Sequence, residues 1–162
     1  VILPVQHETH ETRQRRAVRG ETASTVGSHA FSVVATDEVG NMATASVPDV
    51  VAYGQCILFD QAKAHKAGST VPIKLQLCNA AGANASDASV PVVATAVYLV
   101  STSAPGLLVE DSGNANPDNQ FRFAGGSYIF NLSLKGFGQG TYALMFTAGS
   151  DPTSHTVQFQ VK

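Results

Sequence analysis

The sequence predicts an all-β protein, an antiparallel β-sandwich with a partial second β unit on its N-terminal side. Three observations predict it. From Tyr128 to the end, the chain reads as three strands separated by turns. Two segments, 71–78 and 155–162, alternate apolar and polar residues, which puts one set on a buried face and the other in water. The composition suits strands and tight turns: rich in Val, Ala, Thr, Ser and Gly, without Trp, and only 14% charged.

The elements follow in order. Residues 1–22 carry charges of both signs with little apolar periodicity, and read as a polar tail or linker. Residues 23–52 form the partial unit. Within it, 30–36 is a strand, and 37–41 is a hairpin turn in which Gly40 and Asn41 tolerate positive φ. The return strand is 42–47, ended by Pro48. Two strands cannot close a sandwich, and an isolated hairpin is marginal in water. The hairpin should need upstream strands, a neighbouring domain or a second copy, with self-association as concentration rises.

Residues 53–162 carry the sandwich, with roughly seven strands expected. A short first strand at 56–59 is followed by a turn at 66–70. In 71–78, Val71, Ile73, Leu75 and Leu77 face one way, and Pro72, Lys74, Gln76 and Cys78 the other. Pro72 restricts this strand to an edge, or is itself restricted to the strand's start. Residues 80–89 are a loop of small residues. A long apolar strand region covers 90–100, turns, and continues at 107–109. A polar loop at 111–119 and a short strand at 121–123 precede the closing strands. The core should draw on Val71, Ile73, Leu75, Leu77, Tyr142, Leu144, Phe146, Val157, Phe159 and Val161.

Charge and hydropathy exclude some functions. Ten Lys and Arg against 12 Asp and Glu give a net charge of −2, without the basic stripe that nucleic-acid binding needs. No run reaches the roughly 18 apolar residues of a membrane span. The chain opens at Val1, with neither an initiator Met nor a signal-peptide pattern, and so reads as a fragment of a longer protein or a processed product. Its two cysteines, Cys56 and Cys78, suggest a disulfide formed in an oxidising compartment, with two buried free thiols as the alternative. Because Cys78 faces away from the core set, a bridge to Cys56 should lie at a sheet end.

Candidate chemistry is sparse. His7 and His10 are three apart, where a zincin helix needs four, so a solvated tail is the plainer reading. Arg13-Gln14-Arg15-Arg16 resembles a basic processing site, nearly balanced by Glu8, Glu11 and Glu21. Asp111, Asn114, Asn116 and Asp118 supply the hard oxygen donors that calcium prefers. They lack the EF-hand order, and Asn116-Pro117-Asp118 is also a good turn. Asp151 and His155 can be assembled with Ser133 or Ser154 into a triad on paper. No Gly-x-Ser-x-Gly elbow frames either serine, and a strand-surface histidine is the preferred reading. No catalytic residue, cofactor or transition-metal site is expected.

Two stretches resemble known modules. Gly27-Ser-His-Ala-Phe31, leading into Asp37-Glu-Val-Gly-Asn41 and a Thr/Ala-rich strand, resembles the last hairpin of bacterial immunoglobulin-like and hyalin-type repeats. Lys66-Ala-Gly-Ser-Thr-Val-Pro-Ile-Lys-Leu75 is similar to the signature of the PxKF domain. Pro72, Ile73 and Lys74 fall on its motif, with Leu75 in place of its Phe. Asn116-Pro-Asp118, Tyr128-Ile-Phe130, Gly140-Thr-Tyr142 and Val157-Gln-Phe-Gln-Val161 also look like that module. The resemblance implies an immunoglobulin-like sandwich that is extracellular and not an enzyme. It implies a structural or stalk module at the C-terminal end of a large bacterial surface or secreted protein, with neighbouring immunoglobulin-like repeats as its partners. The sequons at Asn84 and Asn131 would then carry no glycan. The alternative is an adhesion module that binds glycan or protein. Without Trp, its stacking surfaces would have to come from Tyr53, Tyr98, Tyr128, Tyr142 or the phenylalanines.

Overall fold

A computed structural model describes residues 25–100, 109 and 116–162. The chain divides into two compact units, one containing His29–Asp49 and the other Val50–Lys162.

Strands β1 (Gly27–Thr36) and β2 (Met42–Val51) form a two-stranded sheet. Their turn is built on Asp37. Its amide donates to the Asn41 carbonyl at 3.0 Å, and the Gly40 amide donates to the Asp37 carbonyl at 3.1 Å. The carboxylate accepts from the amides of Val39 and Asn41 and from the Asn41 side chain. The Asn41 side chain first, then its amide, holds the Asp37 carboxyl below the usual carboxylate range. Gly40 takes the positive φ, at 88°, while Asn41 does not. The second strand does not stop at Pro48 as expected; it runs through to Val51. A strand with a single partner keeps one open edge, where a residue without an N–H breaks no ladder.

Among the described residues the second unit has eight strands. In chain order they are β3 (Gly54–Ile57), β4 (Ala64–His65), β5 (Thr70–Cys78), β6 (Val92–Leu99), β7 (Arg122–Ala124), β8 (Ser127–Ser133), β9 (Gly140–Ala148) and β10 (His155–Val161). One sheet has the order β3-β5-β8-β7 and the other β4-β10-β9-β6. All pairs are antiparallel except β4 with β10, which runs parallel at Gln160↔Ala64 and Val161↔His65. The first strand therefore switches sheets, with β3 beside β5 and β4 beside β10. The remaining strands follow the order B-E-D and G-F-C, so this is an immunoglobulin-like β-sandwich.

Alternation builds the core. Val71, Ile73, Leu75 and Leu77 of β5 face Tyr142, Leu144, Phe146, Val157, Phe159 and Val161 of the other sheet, and all ten are buried. The inward set on β6 changes parity, from Val92 and Ala94 to Val97. The cause is a register shift between Ala94 and Ala96. The extra residue, Thr95, points outward and donates to the Met145 carbonyl at 3.2 Å. Phe121 lies 4.9 Å from Phe130 of one sheet and 5.6 Å from Phe146 of the other, bridging the layers.

Two buried tyrosines fasten the connections. Tyr142, near the start of β9, donates to the Gly138 carbonyl at 3.1 Å. This is the tyrosine corner of immunoglobulin sandwiches, and Leu144 stands where many of them have the second cysteine of the inter-sheet disulfide. The Tyr128 hydroxyl donates to the Asp87 carbonyl at 2.7 Å and accepts from the Asp87 amide at 3.3 Å. It pins the segment that crosses from β5 to β6. Burial pushes this phenol up, against the opposing hydrogen bond to the Asp87 backbone. Short side chains hold the rest of that crossing: Asn79 Oδ1 accepts from Ala81 and Ala83, and Ser86 Oγ from the Leu77 amide.

Candidate functional site

A buried polar pair, Asp151 and His155, lies where the β9–β10 turn meets the start of β3. Gly149, at φ 54°, turns the chain out of β9, and the Asp151 amide donates back to the Ala148 carbonyl at 3.0 Å. That directs the Asp151 carboxylate inward. Oδ2 accepts from the Tyr53 amide at 2.7 Å, and Oδ1 from the Thr153 amide at 2.8 Å. Oδ2 also lies 2.9 Å from His155 Nε2. Burial alone would raise the carboxyl's pKa. The Tyr53 and Thr153 amides and then His155 outweigh it, and the group is held below the usual carboxylate range.

His155 is the first residue of β10 and only 4% exposed. The expectation of a strand-surface histidine is therefore corrected. Its position shares the parity of Val157, Phe159 and Val161, so the ring points into the sandwich. The ring stacks on Phe146 with centroids 5.3 Å apart and planes 25° apart. Nδ1 faces Gln55 Nε2 at 3.4 Å. An ionised Asp151 accepts the Nε2 proton, which leaves Nδ1 to accept from the Gln55 amide group. Both ring nitrogens are thus occupied. Ser133 accepts instead from the Lys135 amide, and Ser154 is exposed. The pair works as a polar clasp between the two sheets, tying β3 to β10.

The other expected positions are placed as follows. Cys56 and Cys78 form a disulfide with Cα atoms 6.0 Å apart, joining β3 to β5 outside the main core cluster. Ile73 is buried opposite Phe130, while Pro72 and Lys74 face out. The Lys74 carbonyl accepts from Leu58 on the β3 side, so Pro72, two residues earlier, turns its missing N–H toward the same side. The β3 pairing, which covers Leu75 to Cys78, does not reach that far. Asn116 is 2% exposed, and its side chain brackets the Asn131 backbone: Nδ2 donates to the carbonyl at 3.1 Å and Oδ1 accepts from the amide at 3.3 Å. It anchors the end of its loop on β8, and is not presented as a surface donor. Asp118 sits exposed in a single 3-10 turn (Pro117–Asn119) with φ 55°. Asp111, Asn114, His7, His10 and the basic run 13–16 lie outside the described residues. Among the described residues no group of three or more His, Cys, Asp or Glu side chains could hold a metal ion, and no helix is long and apolar enough to cross a membrane.

No protein-family model matches the chain, and no curated protein does. Among solved structures it is similar to the titin Ig tandem domains A164-A165, at 12% identity and TM-score 0.32, covering 83% of this chain and 61% of that one. It is also similar to domains 4 and 5 of the S-layer protein SbsC, at 14% identity and TM-score 0.32, covering 81% of this chain and 65% of that one. The chain thus spans less than two thirds of either. The class of the second unit, an immunoglobulin-like sandwich, rests on its strand order and register.

Proposed function

We propose that this chain is a non-catalytic structural module, a spacer or stalk unit at the C-terminal end of an extracellular bacterial protein built from immunoglobulin-like repeats. The observation that carries the reading is tandem order. A hairpin ends at Val51, and after Ala52 and Tyr53 a complete sandwich begins at Gly54. The hairpin leaves Val39 79%, Met42 70% and Val47 60% exposed, a surface that a neighbouring repeat would cover. The Cys56–Cys78 bridge supports an oxidising compartment. The likeness of residues 27–45 to repeat hairpins and of 66–75 to the PxKF signature supports the parent architecture.

The adhesion reading has less behind it. Tyr128 and Tyr142 are buried in the core, and Tyr53 and Tyr98 are only half-exposed, so a flat aromatic platform for a sugar ring is not formed by these tyrosines. The full reading frame tests the proposal. Upstream repeats of the 27–51 pattern and an export signal are expected, and a frame encoding a short cytoplasmic protein would overturn it. On a glycan array the chain should give no saturable signal; a specific one would favour adhesion.

A further inference from the structure

The two ends of the sandwich lie at its opposite ends, and the disulfide sits on the path between them. Gly54 pairs with Cys78, and the Tyr53 amide meets Asp151, so the start of β3 shares an end with the β9–β10 turn. Val161 pairs with Gly140 and with His65 at the other end. Tension applied to the chain's two ends therefore runs along the strands, loading them in shear.

Without a bridge, that tension would pass through every residue from 54 onward. It would strip β3 from β5 and then reach the parallel β4–β10 contact. There the Lys162 amide donates to the His65 carbonyl at 2.8 Å, and the Ala67 amide to the Lys162 carbonyl at 3.1 Å. Gln61 Oε1 adds a bond from the Gln158 amide at 3.1 Å. These bonds would carry load together, because the two strands are pulled in opposite directions along their length.

We infer that the Cys56–Cys78 disulfide limits how far this module extends: the covalent route under tension crosses from Cys56 to Cys78 through the sulfurs, and residues 57–77 stay out of the extended chain. The bypassed segment contains β4 and nearly all of β5. With the bridge closed, load enters β5 at its last residue, Cys78, and residues 57–77 cannot be drawn out, so unfolding under load releases less chain. Opening the bridge frees that segment to extend. A small dithiol does this by passing two electrons and two protons to the bridge, leaving two thiols and closing to a cyclic disulfide itself. The biological weight of this device rests on the spacer reading, but the force path does not.

The test is single-molecule extension of the full chain held at its two ends, with and without excess dithiothreitol. The bridge closes 22 positions and itself spans 6.0 Å between Cα atoms, so at an extended ~3.5 Å per residue, less that span, reduction should lengthen the sandwich's unfolding step by about 70 Å. The Cys56→Ser/Cys78→Ser chain should behave as the reduced protein does without reductant. Equal step lengths in both states would overturn the inference. Neither result bears on whether the parent protein is a surface stalk, which the reading frame decides separately.

Discussion

Asp151 Oδ2 and His155 Nε2 lie 2.9 Å apart inside the sandwich, and the same carboxylate holds the Tyr53 amide just before the opposite sheet's first strand. One side chain thus serves the turn, the last strand and the first. Asp151→Ala would leave the Tyr53, Thr153 and His155 donors without their acceptor. A loss of about 2–4 kcal/mol in unfolding free energy is expected by urea titration, with a smaller loss for Asp151→Asn, which keeps one oxygen. An Asp151→Ala chain as stable as the parent would show the clasp to be decorative.

The same carboxylate predicts an acid limb. Its folded-state value lies below the ordinary 3.8, so between the two values the unfolded chain binds the proton first. The stabilisation is present above about pH 4 and is lost as pH falls through the lowered folded value. His65 acts at higher pH. Burial first, then Lys63, holds it below 6.5, so its contribution is complete above that pH and declines as pH falls through its own folded value. Stability measured against pH should therefore fall in two steps on acidification. Asp151→Asn should flatten the lower step, and His65→Gln the upper.

The sequence showed β5 and β10 plainly, because Val71 to Leu77 and Val157 to Val161 keep an unbroken period of two. It did not show β4, whose two residues are strand only because the C-terminal strand lies alongside. Nor did it show the bulge, since Thr95 looks like any other strand threonine until the buried set changes parity after it. The clasp was half legible. His155 has the parity of Val157, Phe159 and Val161, a signal of burial that its polarity obscured. Its partners Tyr53 and Gln55 come from about a hundred positions upstream, where no local pattern can announce them.

The two buried tyrosines should differ when their hydroxyls are removed. Tyr128→Phe loses an acceptor and a donor at Asp87, and should cost about 2 kcal/mol; Tyr142→Phe loses one bond to Gly138 and should cost about 1 kcal/mol. Thermal unfolding of the two variants gives the order directly, and the reverse order would contradict the assignment of Tyr128 as the pin of the β5–β6 crossing.

Calcium should do nothing at Asn116. Its carboxamide is committed to the Asn131 backbone, so the melting temperature should be the same in millimolar calcium and in chelator. Asn116→Ala, in contrast, should cost about 1–3 kcal/mol through the unpaired β8 backbone. A calcium-dependent rise would return the 111–118 loop to consideration as a site.

A disulfide-closed structural module of the kind proposed works outside the cytoplasm. The most direct measurement is labelling on intact cells that express it, using a membrane-impermeant amine reagent together with thiol alkylation before and after reduction. The protein should be labelled without lysis, and Cys56 and Cys78 should become alkylatable only after reduction. Protection until lysis, with both thiols free from the start, would contradict the proposal.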